Sequence, residues 1–392
     1  MGYFVPEKSL DNLKFYKYQS EDRSLLSNYI LRPYWRKFST IFPLWMAPNL
    51  ITLSGLFFII INVIITLYYD PTLTKESPNW TYFSYGIGLF LYQTFDACDG
   101  MHARRTGQSG PLGELFDHCI DSLNTTLSLL PFWSITGMGF SYSLIFAQFL
   151  CLCNFYISTW EEFHTKKLFL SKFSGPVEGI IILVICYFIT GVWGTQSVWH
   201  KPLFTVDGLC TIETIHVMLT FSGLGVCFNI VTALQNVKGY YEENGNKNNK
   251  SKESIQLDIL DAINGLLPFF VFFLSIFIIV IIEPKFINLQ FIISIGLIMA
   301  FVVGRMIVNN LTLQPFPDKN IPMFIPTFQI IIFLVCRHFL NIVPMEDIIL
   351  GLTWLGLGLA SGIHFMFINE IIYDFTNYLD VYALSIKHPK KI

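Results

Sequence analysis

Four aspartates that could do chemistry lie close together in one mostly apolar part of the sequence: Asp96, Asp99, Asp117 and Asp121. The first two are three residues apart and the last two are four apart, so each pair lies on one face of a helix. A turn that contains glycine and proline, around residues 106–112, separates the pairs. The spacing predicts an antiparallel helical hairpin that brings the four carboxylates together at one end.

Such a cluster requires cations. Each ionised group at the centre of a membrane helix costs at least ~2.5–3.5 kcal/mol. The segment has too few basic residues to neutralise the cluster: Arg104, Arg105 and the histidines His102 and His118. We interpret the two histidines as packing or hydrogen-bonding residues. Glu114 adds another carboxylate, placed to help start the second helix. Hard divalent cations, Mg²⁺ or Mn²⁺, prefer oxygen ligands, and no cysteine and histidine ligand set here favours zinc.

A metal ion held by carboxylates usually also holds the phosphate oxygens of a substrate. Gly100, Ala103 and Gly113 leave room where the two helices approach each other, so a nucleotide can lie against the backbone. The planar fork of Arg104 suits a phosphate group. The segment therefore predicts a site for a metal ion and a nucleotide.

The rest of the sequence predicts the elements that position this site. Of 392 residues, 53% are hydrophobic and 14% are charged, against about 25% charged in a soluble domain. We predict an all-α polytopic membrane protein with about ten transmembrane helices in one bundle. The predicted spans are roughly 47–69, 81–103, 113–135, 139–160, 176–196, 211–236, 260–283, 287–310, 322–344 and 347–372.

Lys and Arg residues indicate the orientation of these spans. With ten spans, 21 of the 25 Lys and Arg residues fall on the side that holds both termini and the aspartate cluster. The positive-inside rule makes that side cytosolic. The net charge of −3 gives no indication of nucleic-acid binding, and we interpret the eight cysteines as reduced packing residues.

Three regions follow from these patterns. Residues 1–46 form a cytosolic N-terminal arm, which is either an interfacial amphipathic segment or a helix packed on the bundle. Residues 47–376 form the transmembrane bundle, with a catalytic hairpin at 81–135 and a flexible cytosolic loop at 238–256. Residues 377–392 form a cytosolic tail.

The motif D-x2-D-G-x2-A-R-x8-G-x3-D-x3-D, which spans residues 96–121, resembles the full signature of the CDP-alcohol phosphotransferase family. The start of the first span at Pro48 and Asn49, and the stretch 175–179, are similar to the family. The segments STWEEFHT and YALSIKHP extend a resemblance to the fungal choline/ethanolamine phosphotransferases over most of the chain.

The resemblance implies a reaction and a set of site residues. A CDP-activated choline or ethanolamine gives its phosphoalcohol group to diacylglycerol, and CMP leaves. Two Mg²⁺ or Mn²⁺ ions are expected, bound by Asp96, Asp99 and Asp117, with Asp121 completing the site and acting as general base. The implied nucleotide and diphosphate site comprises Asn49, Gly100, Ala103, Arg104 and Gly113. The resemblance also implies a homodimer in the membrane of the endoplasmic reticulum, with the Golgi as an alternative.

Several alternatives stay open. His164 is an alternative base, and Glu161 or Glu162 is a candidate for contact with the cationic headgroup. The acceptor can instead be a soluble alcohol, such as inositol or glycerol phosphate. Buried acids in ten spans also fit a cation-coupled transporter, although the acids cluster at one helix end and not at the midplane. The sequence leaves the choice between choline and ethanolamine open.

Overall fold

The structure is a computed structural model that describes residues 2–17, 20–22, 24, 26–170, 175–206, 210–339 and 344–389. The described chain is mostly helical, which confirms the predicted all-α class. Its α-helices are α1 Glu7–Leu10, α2 Arg32–Phe38, α3 Pro48–Tyr69, α4 Asn79–Thr106, α5 Pro111–Leu127, α6 Leu129–Thr136, α7 Tyr142–Thr165, α8 Pro176–Trp193, α9 Thr195–Trp199, α10 Thr214–Lys247, α11 Lys252–Asn264, α12 Leu267–Ile282, α13 Leu289–Leu311, α14 Ile325–His338 and α15 Met345–Leu379.

Short elements complete the described structure. The strands are β1 Ser20–Asp22, β2 Leu168–Leu170, β3 Pro202–Val206 and β4 Cys210–Glu213, of which β3 and β4 form an antiparallel hairpin. Three 3-10 helices lie at Asp11–Phe15, Pro284–Phe286 and Ile321–Phe324, and a π-helix lies at Ser27–Leu31.

Within the described residues, eight helical segments are long and apolar enough to cross a membrane. They contain α3, α7, α8, α10, α12, α13, α14 and α15. The two other predicted spans coincide with α4 and with α5 plus α6, which carry the carboxylates. The protein is therefore a multi-pass membrane protein, and the count of ten spans stays a prediction.

The contacts divide the chain into two compact units. One comprises Met1–Ser20, Ser141–Leu168 and Val226–Ile371, and we call it the α13 unit. The other comprises Glu21–Phe140, Phe169–Gly225 and Ile372–Ile392, and we call it the hairpin unit.

The predicted hairpin forms the centre of the hairpin unit. Helix α4 ends at Gly107, whose φ of 72° places it in the left-handed region that favours glycine. Helix α5 begins with Pro111 in its first turn, where a missing N–H costs nothing. The single span predicted at 113–135 is broken at Ser128 into α5 and α6. Pro131 explains the break, because it has no N–H to donate to the carbonyl four residues earlier.

The second half of the N-terminal arm, within the hairpin unit, packs on this hairpin. Leu31 and Trp35, only 7% and 6% exposed, lie in one apolar cluster with Cys98 of α4. Arg105 Nη1 donates to Ser39 O at 2.8 Å. These contacts favour the helix packed on the bundle over an arm that only lies in the headgroup region. The arm residues 18–19, 23 and 25 lie outside the described part of the chain.

The α13 unit is built around α13, which is mostly buried. Helix α7 packs on it, and Gln148 Nε2 donates to Ile292 O at 2.9 Å. Two buried aromatic side chains on α7 satisfy carbonyls near the end of α11, with Tyr156 OH donating to Gly265 O at 2.8 Å and Trp160 Nε1 to Ala262 O at 2.9 Å. These bonds fix the end of α7 that carries residues 161–164.

The segment 238–256 is not the flexible loop that its polar composition predicted. Helix α10 continues to Lys247 and α11 begins at Lys252, so only four residues separate the helices. Ion pairs one helical turn apart, Lys238–Glu242 at 3.9 Å and Glu243–Lys247 at 2.6 Å, support the end of α10. Ser251 caps α11, since its side chain accepts from Ser254 N at 3.2 Å.

Asp70 organises the turn between α3 and α4. It is fully buried, and Oδ1 accepts from Thr74 N at 2.9 Å and Lys75 N at 3.0 Å. Its Oδ2 accepts from Ser134 Oγ at 2.7 Å, which ties the turn to α6. We expect Asp70→Ala to lower the free energy of unfolding by about 3 kcal/mol, because it leaves buried donors unpaired.

This prediction is measured as thermal unfolding of the purified protein in lipid-detergent micelles. Asp347→Ala, at an exposed acid in the first turn of α15, is the matched control and should leave the transition unchanged. Equal transitions for Asp70→Ala and the unsubstituted protein would contradict this role.

Candidate active site

The hairpin brings three of the four predicted metal ligands together. One carboxylate oxygen from each of Asp96, Asp99 and Asp117 lies within 4.8 Å of the other two. Asp96 and Asp99 come from the last turns of α4, and Asp117 comes from the second turn of α5. The antiparallel arrangement inferred from the spacing therefore brings the carboxylates of the two helices close together.

Neighbouring side chains orient two of the aspartates. Thr52 Oγ1, on α3, donates to Asp99 Oδ2 at 2.5 Å. Asp121 lies one turn after Asp117 and accepts a hydrogen bond from the hydroxyl of Tyr92, which is almost fully buried. The structure thus places Asp121 beside the cluster and gives it a partner of its own.

The remaining oxygens fit a divalent cation. Asp96 Oδ1 and Asp117 Oδ1 are buried and have no hydrogen-bond partner among the described residues. No Lys, Arg or His forms an ion pair with Asp96, Asp99 or Asp117 in the described part of the chain. Buried carboxylate oxygens without a proton donor or counter-charge are costly, and a hard cation with oxygen ligands satisfies them.

There is open space on the hairpin at two of the residues predicted to bind the nucleotide. A Cβ atom added to Gly100 would meet only Arg104 Nη1, at 3.7 Å, beyond its own helix backbone. A Cβ added to Gly113 would meet only Asn49 Oδ1, at 4.0 Å. Arg104 is exposed, and Ala103 is 9% exposed in the hairpin. The structure therefore brings the predicted nucleotide residues to the hairpin that carries the aspartates.

The α13 unit contains the other candidates. Glu161, Glu162 and His164 are all buried at the end of α7. Asn236 Nδ2 donates to Glu161 Oε1 at 2.6 Å. His164 Nδ1 is paired with Tyr241 OH at 3.0 Å, and its Nε2 is buried with no hydrogen-bond partner among the described residues. Glu161 is therefore held by a neighbour, and one nitrogen of His164 is held as well.

A pair of side chains on α5 was not predicted from the sequence. Glu114 and His118 have ligand atoms within 4.8 Å of each other, whereas the predicted roles are helix initiation for Glu114 and packing or hydrogen bonding for His118. Their spacing of four residues on a predicted helix was the available signal. His102, in contrast, has the predicted hydrogen-bonding role, since it is buried and its Nε2 is paired with Met46 O at 2.9 Å.

Thr52→Val tests whether the hydroxyl on α3 orients Asp99. It removes the donor while keeping the shape, and loss of a group that orients a metal ligand typically costs 10–100-fold in metal affinity. We expect the Mn²⁺ concentration for half-maximal binding to rise about tenfold or more, measured by electron paramagnetic resonance. Thr52→Ser keeps the hydroxyl and should retain the affinity, and equal affinities of Thr52→Val and the unsubstituted protein would rule the role out.

The fold and the site define a polytopic membrane protein whose candidate active site is an acidic helical hairpin beside open glycine positions. The sequence pattern of the CDP-alcohol phosphatidyltransferase family matches residues 45–235. The chain is 59% identical to cholinephosphotransferase 1 of Saccharomyces cerevisiae over 395 residues, with 100% of both chains covered. The chain belongs to the CDP-alcohol phosphatidyltransferase family.

Two further relatives show how far the similarity extends. The chain is 53% identical to choline/ethanolaminephosphotransferase 1 of Saccharomyces cerevisiae over 393 residues, again with 100% of both chains covered. It is 33% identical to choline/ethanolaminephosphotransferase 1 of Arabidopsis thaliana over 411 residues, which cover 98% of this chain and 99% of the relative. The similarity therefore includes both units of the fold.

Proposed function

We propose that the protein transfers phosphocholine, phosphoethanolamine or both from the CDP-alcohol to 1,2-diacylglycerol, giving the phospholipid and CMP. The observation that carries this proposal is the cluster of Asp96, Asp99 and Asp117 beside the open positions Gly100 and Gly113. The names of the two full-length yeast relatives support the choice of alcohols.

Two divalent cations, Mg²⁺ or Mn²⁺, are proposed for the cluster. When bound, they supply positive charge that offsets the charge on the donor's diphosphate and on the leaving CMP oxygen. Asp96, Asp99 and Asp117 would hold them, with Asp121 completing the site, while Thr52 keeps Asp99 in place. Arg104 contacts a phosphate group, and the glycines let the nucleotide approach the backbone.

The transfer needs a base for the acceptor hydroxyl. The hydroxyl proton of diacylglycerol moves to the base, and the hydroxyl oxygen forms a bond to the β-phosphorus of the CDP-alcohol. The bond between that phosphorus and the CMP oxygen breaks, so CMP leaves. Asp121 is the first candidate, although its hydrogen bond from Tyr92 weakens it as a proton acceptor. His118 is the second, because Glu114 lies within 4.8 Å and can orient the imidazole. His164 remains a third candidate, paired with Tyr241.

The cationic headgroup needs a carboxylate or an aromatic surface. Because Glu161 already accepts from Asn236, Glu162 is the stronger of the two headgroup candidates. The distribution of Lys and Arg supports an active site and both termini in the cytosol. We further propose residence in the endoplasmic reticulum membrane, with the Golgi as the alternative, and a homodimer.

The test of this proposal is release of CMP by the purified protein in lipid-detergent micelles. CDP-choline and CDP-ethanolamine are each supplied with diacylglycerol, inositol or glycerol phosphate. We expect CMP only with diacylglycerol, and the ratio of the two rates gives the headgroup preference. CMP with a soluble alcohol alone would overturn the acceptor. Binding of neither donor would overturn the proposal and would leave cation flux in proteoliposomes as the next measurement.

A further inference from the structure

The residues that follow α15 form a segment that the proposed reaction does not use. We call residues 380–389 the C-terminal strap. Asp380, with φ of 54°, turns the chain at the end of α15, and Val381 N donates back to Thr376 O at 3.1 Å. The strap contains the segment YALSIKHP, one of the segments that carry the resemblance to the family.

The strap is joined to the start of α3 and to the turn of the hairpin between α4 and α5. Asn49 Nδ2, in the first turn of α3, donates to Ala383 O at 2.9 Å. Gln108 Nε2, in the turn between α4 and α5, donates to His388 O at 3.0 Å. Met46 and Ser385 form an isolated antiparallel bridge. Three separate polar contacts therefore place the strap at the end of the hairpin that carries the aspartates.

Core packing does not explain this placement. No side chain from 381 to 389 is buried, and Tyr382 is 56% exposed. A cavity of about 270 Å³ lies between the strap and the last turns of α15. Within the strap, Asp380 accepts hydrogen bonds from Lys387 and His388, which lower the pKa of its carboxyl. Polar contacts hold the strap in place.

We propose that the C-terminal strap positions Asn49 for nucleotide binding. This inference rests on the proposed function, since it assigns the strap to the donor side of that site. With Nδ2 engaged by Ala383 O, the amide presents Oδ1 toward Gly113, 4.0 Å from where a Cβ would lie. The strap thus turns the acceptor atom of Asn49, and not its donor, toward the open position at Gly113. It also holds the turn between α4 and α5 through Gln108.

Two variants test the positioning role without changing Asn49. A chain that ends at Tyr382 loses all three contacts, and Gln108→Ala loses one. Since one hydrogen bond changes affinity by about 2–10-fold, we expect KM for the CDP-alcohol to rise about threefold in Gln108→Ala and tenfold or more in the shortened chain. The values of kcat and of KM for diacylglycerol should change by less than about twofold. The unfolding temperature should stay within a few degrees. Ser109→Ala, at the exposed neighbour, is the control.

An unchanged KM for the CDP-alcohol in the shortened chain would overturn the inference. A fall in kcat and in thermal stability together with a rise in both KM values would also overturn it, since that pattern marks a merely structural role. Equilibrium binding of CMP repeats the comparison without turnover. If the unsubstituted protein binds CMP but releases none from the donors, the proposed function fails while the strap is still tested.

A cross-link tests the placement of the strap independently of activity. Met46→Cys combined with Ser385→Cys puts two thiols on bridge partners, whose Cα atoms lie about 4.5–5.5 Å apart in antiparallel pairs, within disulfide range. We expect mild oxidation to join them in most molecules, as detected by mass spectrometry, with KM for the donor retained. Either single variant is the control. Failure to form the disulfide would refute the placement.

Discussion

Asp117→Asn is expected to reduce kcat/KM for the CDP-alcohol by about 10³-fold or more, because the amide cannot supply the charge that a divalent cation requires. Asp117 Oδ1 is buried with no hydrogen-bond partner among the described residues. One carboxylate oxygen of Asp117 lies within 4.8 Å of an oxygen of Asp96 and of Asp99. The measurement is CMP release at several Mg²⁺ and Mn²⁺ concentrations, together with Mn²⁺ binding by electron paramagnetic resonance.

The control for this variant is Asp347→Asn, which changes the same side chain at an exposed position. It should keep full activity and full Mn²⁺ binding. Excess EDTA should abolish activity of the unsubstituted protein, and added Mg²⁺ should restore it. Normal metal binding and near-normal turnover in Asp117→Asn would show that the cluster is not the metal site.

The second large effect is expected on kcat when the general base is removed. General-base catalysis contributes about 10²–10⁴-fold, so removing the base should lower kcat by that factor, while Asp96, Asp99 and Asp117 still bind Mn²⁺ and KM for the donor changes little. Asp121→Asn tests the first candidate and His118→Ala the second. Tyr92→Phe accompanies them, because it removes the hydrogen bond that Asp121 accepts and leaves the carboxylate a stronger base.

The two candidates differ in the pattern of results. If Asp121 is the base, Asp121→Asn lowers kcat by about 10²-fold or more, and His118→Ala has a much smaller effect. If His118 is the base, the order reverses, and Glu114→Gln shares part of the loss because it alters the neighbour of the imidazole. A loss of Mn²⁺ binding in Asp121→Asn would instead show that Asp121 acts chiefly as a metal ligand and not as the base. Full activity in both variants would exclude Asp121 and His118 as the base and leave His164 as the candidate.

Local patterns were enough to predict the helical hairpin of α4 and α5. The spacings of the aspartates follow from helical periodicity, and the turn between α4 and α5 is encoded by Gly107, Gly110 and Pro111. The break at Ser128 also had a local signal in Pro131, which the hydropathy of the whole segment concealed. Secondary structure in this region is therefore determined by neighbours in the sequence.

Contacts between distant segments were not predictable in this way. Thr52 reaches Asp99 across 47 residues, and Asn49 reaches Ala383 across 334 residues. Both contacts depend on how the helices pack and rotate, which no local pattern reports. The helical end of α10 was missed for a different reason, because the composition of 238–256 resembles a flexible loop while its charge pairs at a spacing of four stabilise a helix.

The central claim is that the acidic hairpin carries a metal-dependent transfer to diacylglycerol. The most direct measurement reconstitutes the protein in liposomes that contain isotopically labelled diacylglycerol, adds CDP-choline or CDP-ethanolamine with Mg²⁺, and follows labelled phospholipid and CMP by mass spectrometry. The account predicts that the two products form in equal amounts and that both are lost with EDTA or in Asp117→Asn. Labelled phospholipid that forms equally well without divalent cations, or CMP that forms without labelled phospholipid, would contradict it.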